Sequence, residues 1–143
     1  LILAAITAVS AALFWRLMIA SVLMLVFGFL GEVGAMAGTI AGVIGVVAWL
    51  YIIYEVFAGE ASKINAESGS PASQTAFVAL RWIVSVGWAI YPIGYFLGVG
   101  GSGDVDALNI IYNLADFVNK IAFGVVIWSA ATSGSAEAAS NNG

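Results

Sequence analysis

A basic and an acidic residue lie one helical turn apart in the most apolar stretch of the chain, NLADFVNKIAFGVVIW at residues 113–128. They are Asp116 and Lys120, and the whole sequence of 143 residues holds only 4 Lys and Arg residues. Either residue costs about 2.5–3.5 kcal/mol at the centre of a membrane helix. One interpretation is an ion pair that ties helices together, although such pairs seldom stabilise more than apolar replacements would. The other is a reactive, desolvated amine that forms a Schiff base with a carbonyl compound, with the carboxylate as counter-ion.

The strongly polar residues around this pair share one face of the predicted helix. At about 100° per residue, four of them fall within roughly 60° of one another. This polar stripe consists of Asn109, Asn113, Asp116 and Lys120, with Tyr112 beside it and Asn119 off it. We therefore expect the stripe to point into a helix bundle.

An aromatic face precedes the polar stripe in the sequence SVGWAIYPIGYFLG at residues 85–98. Trp88, Tyr91 and Tyr95 recur at spacings of three and four, and Pro92 predicts a kink in the middle of the helix. Such a face usually packs in a protein core. Facing a reactive amine, it could instead form the wall for a flat, conjugated, apolar ligand. Trp82 is predicted to point to the opposite side, towards lipid.

The composition predicts an integral membrane protein. Hydrophobic residues make up 62% of the chain, charged residues 8%, and the mean hydropathy is +1.05, whereas a soluble domain has about 25% charged residues. The absence of Cys and His excludes disulfides, thiolate and histidine nucleophiles and the usual transition-metal sites, so we expect no metal. The net charge of −4 argues against nucleic acid as a partner.

Four segments are long and apolar enough to be membrane-spanning helices, which need about 20 residues. They are residues 14–30, 36–58, 76–97 and 107–131. Residues 1–9 are expected to be the last part of a preceding span, and the chain a part of a longer protein. We assign residues 1–132 to a transmembrane helical bundle and residues 133–143 to a disordered tail.

Local signals add a helix start, close helix packing and an orientation. Ser70 followed by Pro71 predicts a capped helix start, and glycines at every fourth position from Gly34 to Gly42 predict close helix approach. Basic residues border only one set of connections, which by the positive-inside rule places these residues and the C-terminus in the cytoplasm. The basic residues are Arg16 and Lys63; the opposite connections hold Glu32, Asp104 and Asp106, and Glu55 is predicted to be interfacial.

The combination of these motifs resembles a known family. GWAIYPIGYFLG followed by IYNLADFVNKIAFG, with MLVFGFLGE and YIIYEVFAGE earlier in the chain, resembles the microbial (type I) rhodopsins and is especially similar to proteorhodopsins. The resemblance extends over essentially the whole chain. It implies an all-α membrane protein with a bundle of seven transmembrane helices, of which this chain covers the end of helix C and helices D to G.

The resemblance also implies a chromophore site. All-trans retinal would be attached to Lys120 as a Schiff base, with Asp116 in the counter-ion complex. The residues expected to line the retinal are Trp88, Tyr91, Pro92 and Tyr95, together with Met24 and Gly28. Bacteriorhodopsin-like members have Trp at the position of Tyr95, near the retinal ring.

The function implied by the resemblance is a light-driven outward proton pump, a photoactive ion transporter rather than an enzyme, in the bacterial inner membrane. Its expected partners are retinal, the lipid bilayer and protons, with homo-oligomerisation left open. A sensory rhodopsin, or a light-driven sodium or chloride pump, would share the same site. The family's proton acceptor and donor carboxylates lie on helix C, upstream of residue 1, so they do not distinguish these alternatives here. A transporter with a purely structural Lys–Asp pair is the non-pigment alternative.

Overall fold

The computed structural model describes residues 9–68, 70–101 and 103–141. These residues form helices joined by short connections, with one π turn. The elements are α1 (Ala11–Glu32), α2 (Gly38–Phe57), α3 (Glu60–Ser68), α4 (Pro71–Trp82), the π turn (Ile83–Gly87), α5 (Ile90–Val99) and α6 (Val105–Asn141). Four helical stretches of the described residues are long and apolar enough to cross a membrane: Ala11–Glu32, Gly38–Glu67, Pro71–Gly98 and Val105–Asn141. The predicted number of spans and the all-α class are confirmed.

The helices pack as a bundle in which sequence neighbours are also neighbours in space. α1 packs chiefly on α2, α4 packs chiefly on α6, and α5 contacts both α2 and α6. The core between them is apolar and includes Leu13, Leu17, Ile52, Val56, Phe77 and Leu80. Large apolar side chains also cover the outside, among them Trp15, Leu25, Phe29 and Trp128. Such an exterior suits lipid, because a bilayer solvates apolar side chains while the helices satisfy their own backbone groups.

Two helix starts follow the local sequence signals. The Ser10 hydroxyl accepts a hydrogen bond from the Leu13 N–H at 3.1 Å and caps α1. The Ser70 hydroxyl caps α4 in the same way at 3.2 Å from the Ser73 nitrogen, with Pro71 as the first helical residue. These caps satisfy N–H groups that have no partner within the first helical turn.

The third span is broken before Pro92 rather than at it. The Trp88 N–H reaches back five residues to the Ile83 carbonyl at 3.1 Å, which makes the π turn, and α5 begins only at Ile90. Proline lacks an N–H and its ring collides with the carbonyl four residues earlier, which here belongs to Trp88. That carbonyl instead accepts a hydrogen bond from the Tyr91 N–H at 3.1 Å. The irregular turn therefore lies one turn earlier than the proline at which the kink was predicted.

Both ends of the chain bear on the predicted domain bounds. Helix α6 continues to Asn141 and so covers most of the 133–143 segment that was expected to be a disordered tail. Ala and Glu in this segment are strong helix formers, which accounts for the extension. Residues 1–8, the expected end of a preceding span, lie outside the described residues, as do residues 142 and 143.

A charged cluster ties α1 to the junction of α2 and α3, where Glu55 was predicted to be interfacial. Glu55 lies two residues before the end of α2 and is only 5% exposed. Its carboxylate accepts hydrogen bonds from the Tyr51 hydroxyl and the Glu60 N–H, each at 3.0 Å, and lies 3.6 Å from Arg16. Arg16 also pairs with the Glu60 carboxylate. Burial is tolerated because the carboxylate is hydrogen-bonded.

Three of the four basic residues lie at this end of the bundle. Arg16 belongs to the charged cluster, Lys63 lies on α3, and the Arg81 guanidinium stacks over the Phe57 ring at 4.7 Å from its centroid. Phe57 is the last residue of α2, so Arg81 reaches the same level. The basic residues therefore cluster at one end of the spans, as the sequence predicts.

Candidate functional site

The Lys120–Asp116 pair forms on α6 as its spacing predicts. The Lys120 Nζ donates to Asp116 Oδ2 at 2.6 Å. The side chains are 76% and 43% exposed, respectively, and Asn109 and Asn113 of the same stripe are exposed too. The described helices cover the stripe only in part, because Tyr91 of α5 reaches Asp116 while Lys120, Asn109 and Asn113 are left exposed.

Tyr91 joins the pair from the neighbouring helix. Its hydroxyl donates to Asp116 Oδ1, so each carboxylate oxygen accepts one hydrogen bond, one from α6 itself and one from α5. Donors to an ionised acceptor make comparatively strong hydrogen bonds. The carboxylate is thereby held between the Tyr91 hydroxyl and the Lys120 amine, in the arrangement expected of a counter-ion.

Aromatic packing and a glycine bring α5 and α6 close enough for this contact. The Tyr91 ring stacks on Tyr112, with centroids 5.9 Å apart and planes at 23°. The Tyr112 ring in turn lies against Gly94, where an added Cβ would be 2.7 Å from Tyr112 Cε1. Any larger residue at Gly94 would push Tyr112 away. The site geometry therefore depends on this close helix approach.

The other predicted aromatic residues have different neighbours. Trp88 is half-buried and packs against the apolar core. The Tyr95 hydroxyl donates to the Gly38 carbonyl of α2 at 3.0 Å, and its ring fills the space beside Gly42, at 2.6 Å from an added Cβ. Trp82 is 53% exposed and makes an edge-to-face contact with Phe57. Of the predicted aromatic residues, Tyr91 thus contacts α6 and Tyr95 contacts α2. Trp82 faces outward as predicted.

Met24 and Gly28 lie on α1, which packs chiefly on α2. Both are half-buried, and a Cβ added at Gly28 would meet no atom within 4 Å. Within the described part of the chain, no hydrogen bond or ring contact joins them to Lys120 or Asp116. Space is therefore present beside Gly28. The remaining predicted residue, Pro92, follows Tyr91 directly on α5.

Two further residues form hydrogen bonds to the π turn and were missed by sequence reasoning. The Asn119 amide, predicted to lie off the polar stripe, donates to the Gly87 carbonyl at 2.9 Å. The Trp49 indole N–H donates to the Val84 carbonyl, also at 2.9 Å. The sequence feature that could have pointed to the Asn119 contact is the position of Asn119 off the polar stripe, with a glycine, Gly87, in the preceding span.

The arrangement supports chemistry at a primary amine. Lys120 presents a primary amine, Asp116 can balance a positive charge on it, and Tyr91 orients the carboxylate. No group of three or more acidic, His or Cys side chains that could hold a metal occurs among the described residues. Condensation with a carbonyl compound is the reaction that this set of groups favours.

Comparison with known proteins identifies a family. Residues 1–134 match the model of the bacteriorhodopsin-like protein family. The chain is 51% identical over 140 residues to the green-light absorbing proteorhodopsin of Gamma-proteobacterium EBAC31A08, covering 96% of this chain and 56% of the relative. Bacteriorhodopsin of Halobacterium salinarum is 38% identical over 99 residues, covering 66% of this chain and 37% of the relative.

Solved structures give the same result. The blue light-absorbing proteorhodopsin from Med12 superimposes with a TM-score of 0.72 at 53% identity, covering 87% of this chain and 56% of that protein. Exiguobacterium sibiricum rhodopsin gives a TM-score of 0.76 at 34% identity, covering 87% and 59%. The chain spans a little over half the length of the proteorhodopsins that it matches. With four helical spans and a family match over nearly its whole length, the chain belongs to the bacteriorhodopsin-like family of microbial rhodopsins.

Proposed function

We propose that this protein is a light-driven outward proton pump of the bacterial inner membrane, with all-trans retinal bound to Lys120 as a Schiff base. The observation that carries the proposal is the Lys120 amine hydrogen-bonded to Asp116, whose carboxylate also accepts a hydrogen bond from Tyr91 of the neighbouring helix. A structural ion pair alone would not need a second donor on its carboxylate. The protein acts on light and ions and is not an enzyme.

The residues of the site fit retinal. Lys120 supplies a primary amine that can condense with a carbonyl compound, and Asp116 supplies the negative charge that a protonated Schiff base needs. When bound, retinal supplies light absorption and a shape change on isomerisation. Asp116 balances the positive charge in the dark, and Tyr91 keeps its carboxylate in place. Trp88 and Pro92 lie on the same span as Tyr91 and form walls of the slot that holds the retinal.

The ring end of the retinal would lie towards α1 and α2. Tyr95 approaches α2 through the Gly38 carbonyl, and Gly28 on α1 leaves open space. These observations support Tyr95, Met24 and Gly28 as contacts near the ring. The clustering of Arg16, Lys63 and Arg81 at one end supports a cytoplasmic position for that end and, after two further spans, for the C-terminus.

Reduction with borohydride tests the attachment site. The full-length protein, incubated with retinal in membranes, is reduced under illumination, digested, and the labelled peptide identified. We expect the label on the peptide that contains Lys120, and no visible band in Lys120→Ala. Lys63→Ala, which removes an exposed amine on α3, is the matched control and should retain the band. A label on Lys63 would overturn the proposal.

Illumination of intact cells separates an outward proton pump from its alternatives. An outward proton pump acidifies the medium in light, and a protonophore abolishes this signal. A sodium or chloride pump instead gives passive proton uptake, which a protonophore increases. A sensory rhodopsin gives a visible band with little steady proton flux. The comparison matters because sensory rhodopsin III of Haloarcula marismortui is also 34% identical over 99 residues.

A further inference from the structure

The third span contains the π turn directly before the aromatic residues of the site. A π turn holds one residue more than the α-helical turn it replaces, so every residue after it is rotated by about 100° relative to an uninterrupted helix. Trp88 and Tyr91 follow the turn at Ile83–Gly87. The π turn therefore decides which neighbouring helix they face, and without it Tyr91 would be turned away from Asp116.

Side chains from two other helices donate to backbone carbonyls inside this turn. Trp49 of α2 donates its indole N–H to the Val84 carbonyl, and Asn119 of α6 donates its amide N–H to the Gly87 carbonyl, both at 2.9 Å. Backbone carbonyls at membrane depth need a partner, because lipid offers none. The two donors come from helices that both contact the third span, so they hold the turn between them.

The Asn119 contact requires glycine on the opposite helix. A Cβ added at Gly87 would collide with the side-chain oxygen of Asn119. Gly87→Ala therefore displaces the amide without removing any polar group. The same hydrogen bond can thus be broken from either of its two helices, which gives a stringent test.

We propose that Asn119 and Trp49 are positioning residues, whose hydrogen bonds hold the π turn and thereby keep Trp88 and Tyr91 in register with Lys120. We call these two hydrogen bonds the clamp. Because Asn119 immediately precedes Lys120, the clamp joins the part of α6 that carries the amine directly to the π turn that orients Trp88 and Tyr91. The spectral consequence of this inference rests on the proposed function, while the clamp itself does not.

The spectral test uses the full-length protein with retinal. Asn119→Ala and Gly87→Ala should shift the visible band in the same direction, and the double variant should shift it no further than the larger single change, because both break one contact. Asn109→Ala, an exposed Asn on the same helix, is the control. Trp49→Phe keeps a ring but loses the N–H and should also shift the band, whereas Trp82→Phe on the outer face should not.

A second measurement does not require retinal. Gly87–Trp88 is the only Gly–Trp pair in this sequence, so carbonyl-¹³C glycine combined with ¹⁵N tryptophan isolates the Gly87 carbonyl by NMR. Asn119→Ala should move this signal, and an unchanged signal overturns the clamp. A moved signal with an unchanged band overturns the positioning role. If the unmodified protein gives no visible band, the proposed function fails, and the carbonyl signal alone decides on the clamp.

Discussion

Tyr91 allows the hydrogen bond at the site to be removed without disturbing the packing. Its hydroxyl donates to Asp116, while its ring stacks on Tyr112 at 5.9 Å. Tyr91→Phe therefore deletes the hydrogen bond and keeps the stacked ring. The same hydrogen bond can be deleted from the other side by Asp116→Ala, so the two substitutions and their combination form a double-mutant cycle.

The size of the coupling follows from the setting of the hydrogen bond. Hydrogen bonds between membrane helices contribute about 0.6 kcal/mol on average and up to about 1.7 kcal/mol. An ionised acceptor strengthens this one relative to that average. We therefore expect a coupling free energy of about 0.5–1.5 kcal/mol, or roughly a 2- to 12-fold change in the unfolding equilibrium. The loss of the Lys120 ion pair in Asp116→Ala cancels within the cycle.

The assay is detergent-induced unfolding of the full-length protein, followed by tryptophan fluorescence for all four members of the cycle. Tyr54→Phe is the matched control, because Tyr54 is 58% exposed on α2, and it should change stability by less than about 0.5 kcal/mol. A coupling free energy within error of zero would refute the hydrogen bond. A destabilisation by Tyr54→Phe equal to that of Tyr91→Phe would show that loss of a tyrosine hydroxyl is costly anywhere in this protein.

Three further predictions concern the chromophore slot, the charged cluster and the chain itself. Trp88→Ala should shift the visible band or weaken pigment assembly, because a large aromatic contact is lost from a packed cavity. Equal effects of Trp82→Ala, on the outer face, would contradict the assignment of Trp88 to the side of the span that faces the retinal. Glu55→Ala should destabilise the protein by about 1.5–3 kcal/mol in detergent unfolding, because a buried carboxylate bonded to three partners is removed. A similar loss in Glu67→Ala, an exposed acidic residue on α3, would argue against this explanation. Residues 1–143 expressed alone should give little pigment, because the polar stripe of α6 is open to lipid; absorption spectra should show more pigment when the N-terminal helices of a proteorhodopsin are co-expressed, and a full band without them would contradict the prediction.

Features that depend on neighbouring residues alone were predictable. Composition and apolar run length identify the four spans, and the Ser70–Pro71 pair identifies the start of α4. The Lys120–Asp116 contact follows from a spacing of four residues, because helical geometry brings such side chains together whatever surrounds them. The outward position of Trp82 follows from the same periodicity. The family motifs consist of local patterns of this kind.

Features that depend on how the helices pack were decided by the tertiary structure. The π turn rotates Tyr91 onto Asp116, and the glycines at 42 and 94 admit the rings of Tyr95 and Tyr112. Asn119 shows the limit of periodicity, because its partner is a carbonyl in another span. Burial of Glu55 likewise required the start of α1 to pack against the end of α2. Each of these contacts joins residues far apart in sequence, and its formation depends on the space left by small residues and on backbone groups released by irregular turns.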